Sequence, residues 1–273
     1  MLKAVTRCLW SNPLASRRMM SHQSLTGKVA IVTASTEGIG LAAAEALGQR
    51  GAHVVVSSRR QTNVDKALAL LRSKNIQVIG TTCNVGNAED REKLITMTVE
   101  QFGGVDILVS NAAVNPFIGN ILDSTEEVWD KILGVNVKAA FLLTKLVTPH
   151  MVKRGGGSVV FVSSVAGYQP FQNLGPYSVS KTALLGLTRA LAPDLGQSNI
   201  RVNCVAPGII KTRFSSALWV NESLVEDIMK QTSIKRLGQP EDISGVIAFL
   251  CSDEASYITG ETITITGGWN CRL

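Results

Sequence analysis

Short apolar runs alternate with longer stretches of helical spacing from Gly27 to the end of the chain. Buried strands are predicted at 28–33, 53–57, 77–83, 107–109, 158–162, 200–205 and 262–265, each too short and too apolar to be an exposed helix. Helices are predicted at 39–49, 63–73, 90–101, 129–151 and 177–195, and Gly51 stands where a left-handed cap would close the first. Nearly continuous apolar strands separated by helices require a parallel sheet covered on both faces. The expected fold is α/β, a doubly wound parallel sheet of Rossmann type, as a single domain over 25–273 with no internal repeat. Pro193 lies inside the last predicted helix and should kink or shorten it, because it lacks an N–H. Two helical segments are apolar over more than one face. Leu142, Leu143, Leu146 and Val147 mark one, and Leu184, Leu185 and Leu187 the other, which points to self-association.

Composition narrows the function classes. No run of about 18–20 uninterrupted apolar residues occurs, so no membrane span is expected. The formal charge of +6 raises the question of a nucleic-acid partner. Lys3, Arg7, Arg17 and Arg18 in the acid-free leader 1–24 account for four of the 27 bases, leaving 23 against 21 acids. A nearly neutral body without a basic run argues against nucleic acid. The leader has the composition of a mitochondrial transit peptide. The chain finishes in Cys271-Arg272-Leu273, a conservative variant of the Ser-Lys-Leu tripeptide read by the peroxisomal import receptor. Peroxisome is therefore the expected address, with mitochondrion as the alternative. Five scattered cysteines (Cys8, Cys83, Cys204, Cys251, Cys271) fit neither a disulfide framework nor a zinc site, and no metal is expected.

Two places carry candidate chemistry. The first predicted strand runs through Ser35, Thr36, Gly38, Ile39 and Gly40 into a helix. Glycines there let backbone approach a pyrophosphate, and the helix N-terminus presents free N–H groups and a positive dipole end. At the end of the second strand, Ser58, Arg59 and Arg60 replace the acid that usually accepts an NAD ribose hydroxyl. Two guanidiniums and no carboxylate suit a 2′-phosphate, so the expected cofactor is NADPH/NADP+. Ser164 closes a buried strand, and thirteen residues later Tyr177 and Lys181 share one helical face at i and i+4. An ammonium beside a phenol favours phenolate; moving its pKa by roughly 3 units from ~10 takes about 4 kcal/mol, within reach of that cation together with a nicotinamide's positive charge. The expected result is a general acid or base usable near neutral pH, with Ser164 bonded to the substrate oxygen.

With these residues in view, the chain resembles the short-chain dehydrogenase/reductases over 27–273. The landmarks are Thr33 to Gly40, Asn111-Ala112-Ala113, Asn136, Ser164, Tyr177 with Lys181, and Pro207-Gly208 leading to Thr212. The resemblance implies that Tyr177 protonates a carbonyl, that Lys181 binds the nicotinamide ribose, and that Asn136 anchors a water leading to solvent. It places Asn111 and Ala112 along the adenosine ribose, Asn84 with Val85 at the adenine, and Pro207, Gly208 and Thr212 around the nicotinamide. It further implies a homotetramer. Three positions depart from the family pattern: Ala34 and Ala113 stand where glycine is usual, and Asn84 where aspartate is.

Phe171 and Leu174 lie on the loop between Ser164 and Tyr177 and are candidates for the substrate pocket. Phe214 to Val220 reads as an apolar lid. Arg213 is the one charge in either loop, so bulky apolar ketones, aldehydes, α-dicarbonyls and retinal are expected as small-molecule carbonyl substrates. Hydroxysteroid and acyl-thioester ketoreductases share every landmark and are the alternative. A silent cofactor-binding regulator would lack Tyr or Lys, and both are present.

Overall fold

A computed structural model describes residues 24–220 and 222–269, which leaves the leader up to 23 and the Cys271-Arg272-Leu273 ending outside the described residues. Seven parallel strands lie in the order β3-β2-β1-β4-β5-β6-β7. They are β1 (Val29–Val32), β2 (His53–Ser58), β3 (Val78–Thr82), β4 (Ile107–Ser110), β5 (Gly157–Val162), β6 (Ile200–Pro207) and β7 (Thr262–Ile265). The order reverses between β1 and β4, so the ligand crevice of this fold opens at the carboxyl ends of those two strands.

Side chains alternate across each strand and feed two cores. Ala30, Val32, Val54 and Val56 point to one, with α1 (Gly38–Gln49), α2 (Gln61–Ser73) and α9 (Pro240–Cys251). Ile31, Val55, Leu108 and Phe161 point to the other, with α3 (Ala88–Phe102), α5 (Ala139–Lys153) and α6 (Gly175–Gly196). At the amino-terminal rim, buried Asp106 accepts from Val29 N (2.8 Å) and from Arg154 Nε (3.2 Å) and Nη2 (3.0 Å). That carboxylate ties β4 to β1 and to the end of α5.

All seven strands and all five helices expected from the sequence form within two residues of their predicted ends, one helix start excepted, and three differences from expectation stand out. The run expected as one helix over 129–151 begins three residues earlier, as α4 (Glu126–Leu133), widens into a π-helical turn at Gly134–Lys138, and resumes as α5. By length and composition this 28-residue run could cross a membrane, but Leu143, Val147 and Met151 are buried in the second core. Pro193 does not shorten α6, which continues to Gly196. Arg189, whose carbonyl loses its helical partner, is exposed, as is Pro193, so the interruption lies on the solvent side of the helix. The third difference is an omission: α9 starts at Pro240 with a capping box in which Gln239 N donates to Asp242 Oδ2 (2.7 Å), and packs along α1. Two short helices, α7 (Ser216–Trp219) and α8 (Glu222–Gln231), also lie in the segment between β6 and β7.

The apolar excess on α5 and α6 is mostly absorbed within the chain. Leu143, Val147, Leu184 and Leu185 are buried, while Leu142, Leu146 and Leu187 are partly so. Exposed apolar surface on these helices comes instead from Phe141, Val152 and Val179.

Candidate active site

The turn after β1 is built by bonds to its neighbours. Ser35 Oγ donates to Val32 O (2.6 Å) and accepts from Ser57 N (3.0 Å), while Ser35 N donates to Ser57 O (3.0 Å). Ser35 is wholly buried and braces β1 against β2, with its N–H and hydroxyl both engaged. Thr33 Oγ1 accepts from Asn111 N (3.0 Å) and Ala112 N (3.1 Å), and Asn111 Nδ2 donates to Thr33 O and Ala34 O, both at 3.1 Å. Asn111 is thus a second brace, joining the exit of β4 to the turn. Thr33 carries this junction, and no spacing rule singled it out.

Ala34, in place of the usual glycine, takes φ 50°, a left-handed conformation that costs an alanine roughly 1 kcal/mol or more. Gly40 is required sterically: a Cβ there would lie 2.5 Å from both Ala34 O and Asn111 Nδ2. Glu37, which precedes α1, makes no side-chain cap, so the first N–H groups of α1 are free for an anion. Thr36 and Ile39 are half-buried along this edge. Ser58 is half-buried at the end of β2, with Arg59 and Arg60 exposed beyond it. Asn84 is exposed after β3, its Oδ1 accepting from Gly86 N (3.2 Å), with Val85 buried beside it. Pro207 ends β6, Gly208 follows, and the Thr212 methyl lies 3.1 Å from where a Gly38 Cβ would stand. These groups fit a dinucleotide: free helix-terminal donors, a cradle that a side chain would fill, and two open guanidiniums.

Ser164, Tyr177 and Lys181 converge. Ser164 begins a 3-10 turn, Val165–Gly167, and its Oγ accepts from Ala166 N (3.1 Å). Its side chain faces Tyr177 and acts to lower the pKa of that phenol. Lys181 Nζ donates to Val162 O (2.8 Å) and lies 5.4 Å from the centre of the Tyr177 ring. The start of α6 is sewn to β5 by Ser163 Oγ donating to Lys181 O (2.8 Å) and Thr182 Oγ1 to Gly167 O (2.8 Å).

The expected lowering of the Tyr177 pKa counts a nicotinamide's positive charge as well as the ammonium, and in the chain alone burial sets the balance. Burial pushes the phenol up to about 12, and burial brings Lys181 down to about 8. Part of the Tyr177 surface is open, yet burial of the phenol outweighs the lowering effect of Ser164.

Asn136 occupies the π-helical turn. Its Oδ1 accepts from Val114 N (2.8 Å) and its Nδ2 donates to Val114 O (3.0 Å) and Ser180 Oγ (3.0 Å). Ser180 Oγ in turn donates to Tyr177 O (2.7 Å), so one amide joins the β4 exit to the helix bearing Tyr177. Leu174 is buried, and Phe171 stacks on Trp269 with ring centres 5.4 Å apart. Of the two, Phe171 keeps the more surface, and Leu174 forms an isolated bridge with Gly119. Phe214, exposed, has its ring centre 6.0 Å from that of Tyr177.

This sheet and these residues define a short-chain dehydrogenase/reductase, an oxidoreductase, and the chain belongs to that family. A family model described as Enoyl-(Acyl carrier protein) reductase matches residues 33–270. The chain is 60% identical over 273 residues to Dehydrogenase/reductase SDR family member 4 of Sus scrofa, covering 100% of this chain and 98% of the relative. It is 49% identical to Dehydrogenase/reductase SDR family member 2, mitochondrial, of Homo sapiens, covering both chains entirely. Among solved structures, 7 alpha-hydroxysteroid dehydrogenase complexed with NADH and 7-oxo glycochenodeoxycholic acid is 33% identical with a TM-score of 0.88, covering 93% of this chain and 99% of that one.

Proposed function

We propose that the protein is an NADPH-dependent carbonyl reductase with Tyr177 as its general acid. The observation that carries this reading is the convergence of Tyr177 with the Ser164 hydroxyl and the buried Lys181 ammonium. Bound reduced nicotinamide supplies a hydride to the carbonyl carbon. Tyr177 gives its hydroxyl proton to the carbonyl oxygen, and Ser164 holds that oxygen as charge develops on it. Lys181 keeps two N–H donors beyond its bond to Val162 O, suited to ribose hydroxyls, and its charge favours the phenolate left behind. Asn136 holds the loop after β4 in register with Tyr177 and, by widening its helix, favours a water path that returns the proton.

Gly38, Gly40 and the free N–H groups of α1 are the cradle for the diphosphate. Ser58, Arg59 and Arg60 receive the 2′-phosphate, which favours NADPH over NADH. Asn84 and Val85 meet the adenine, and Pro207, Gly208 and Thr212 the nicotinamide; Asn111 and Ala112 border the adenosine ribose. Phe214, beside Tyr177, and Phe171 on the loop between Ser164 and Tyr177 suit apolar ketones, aldehydes, α-dicarbonyls and retinal. A cavity of about 180 Å³ lined by Gly208, Ile210, Ile228, Ile234 and Trp269 extends this apolar surface.

Exposed Phe141 and Val179 support assembly through α5 and α6 as a homotetramer, checked by sedimentation. Cys271-Arg272-Leu273 supports import into peroxisomes, and the basic leader supports mitochondria as the alternative; deleting each end in a tagged chain decides between them. Steady-state kinetics over a carbonyl panel with both cofactors tests the central reading. Turnover of apolar carbonyls with NADPH preferred is expected; no turnover, or preference for NADH, overturns it.

A further inference from the structure

Glu37 is the one carboxylate in the turn 33–40, and it stands beside the free N–H groups that face an anion. Alone, it would repel a diphosphate. It is not alone: Arg213 Nη2 lies 2.7 Å from Glu37 Oε1, joining residues 176 apart in sequence. The two side chains are 73% and 52% exposed, so packing does not account for their meeting. Arg213 is delivered there by an organised segment. Ser215 Oγ donates to Ile210 O, Trp219 Nε1 donates to Thr212 O (2.9 Å), and the Thr212 methyl rests against Gly38.

We propose that Arg213 is a positioning residue that masks Glu37, so that the segment after β6 sets how tightly the turn holds a dinucleotide diphosphate. The proposal rests on the reading of this turn as the diphosphate cradle. With Arg213 in place the turn offers only its N–H groups and the dipole of α1. Without it, an uncompensated carboxylate faces the phosphates. Because the diphosphate is common to NADH and NADPH, the effect is the same for both, unlike any effect of Arg59.

The test is fluorescence titration of NADPH and of NADH, without substrate, on the full chain. Arg213→Gln should weaken both dinucleotides alike, by roughly three- to tenfold for one surface charge. Arg213→Lys, which keeps the charge, should stay within about twofold of the unmodified protein, and so should Glu37→Gln/Arg213→Gln, in which the repelling carboxylate is gone. Unfolding midpoints without cofactor should not change among these variants. A double variant as weak as Arg213→Gln would overturn masking, as would an Arg213→Lys loss equal to that of Arg213→Gln. So would a loss confined to NADPH, which would make Arg213 a reader of the 2′-phosphate. If the unmodified protein bound neither dinucleotide, the cradle reading would fall and this proposal with it.

Discussion

Replacing Gly40 with alanine tests whether the turn is held by close backbone approach. The added Cβ would sit 2.5 Å from Ala34 O, 2.5 Å from Asn111 Nδ2 and 2.9 Å from Ser35 Cα. Two of these atoms are main chain, and Asn111 cannot swing aside without releasing its bonds to Thr33 O and Ala34 O. Losing those two bonds costs about 1 kcal/mol each, and overpacking adds about 1–3 kcal/mol. The better helix propensity of alanine returns at most ~1 kcal/mol. A net loss of about 2–4 kcal/mol follows, or roughly 4–16 °C in unfolding midpoint for a domain of this size. Urea unfolding of the cofactor-free protein measures it. Gly245→Ala is the control: it lies exposed within α9 with nothing within 4 Å of its Cβ position, and should gain about 0.5–1 kcal/mol. A Gly40→Ala loss below ~1 kcal/mol, or an equal loss at Gly245, would refute the steric argument.

Other outcomes follow from the same geometry. Tyr177→Phe should lower kcat for carbonyl reduction by ~100-fold or more and leave NADPH titration nearly unchanged; retained turnover would remove Tyr177 as the acid. Arg59→Ala should raise the Kd of NADPH far more than that of NADH, and equal losses would refute the 2′-phosphate reading. Lys181 sits at about 8 when folded against 10.5 when free, so the unfolded chain holds the extra proton between those values. Its contribution to stability therefore rises as pH goes from about 8 to 10.5. The stability difference between the unmodified protein and Lys181→Met should slope upward across that window, and a flat difference would contradict the assigned burial. Asp106→Ala strands Val29 N and the Arg154 guanidinium and should cost about 2–3 kcal/mol, measured by urea unfolding, with no effect on dinucleotide affinity per folded molecule.

Strands were legible because each is a dense apolar run, and the Ser164, Tyr177 and Lys181 set because local spacing alone carries it. What escaped reading depends on partners distant in sequence. Thr33 looks like any strand-end threonine until β4 brings two N–H groups to its hydroxyl. Ser35 reads only as a turn residue until β2 lies beside it and engages both its N–H and its hydroxyl. Pro193 looked disruptive because its exposure, which makes the lost bond harmless, is set by how α6 lies on the sheet. For the tyrosine, i to i+4 spacing reveals the ammonium, but only the fold reveals how strongly burial raises the phenol. Helix α9 was missed although Gln239, Pro240 and Asp242 announce its start, since that signal is chemical and not periodic.

The wide turn at Gly134–Lys138 divides one long rod into two faces with separate phases. Upstream and within it, Asn136 is aimed at Val114; downstream, Leu143, Val147 and Met151 are aimed at the sheet. Removing a single residue from the wide turn would let the rod wind regularly and would keep Leu143, Val147 and Met151 toward the sheet, because the wide turn is where the extra residue is absorbed. The Asn136 amide would lose its reach to Val114, so a one-residue deletion there would loosen the β4 exit while sparing the core.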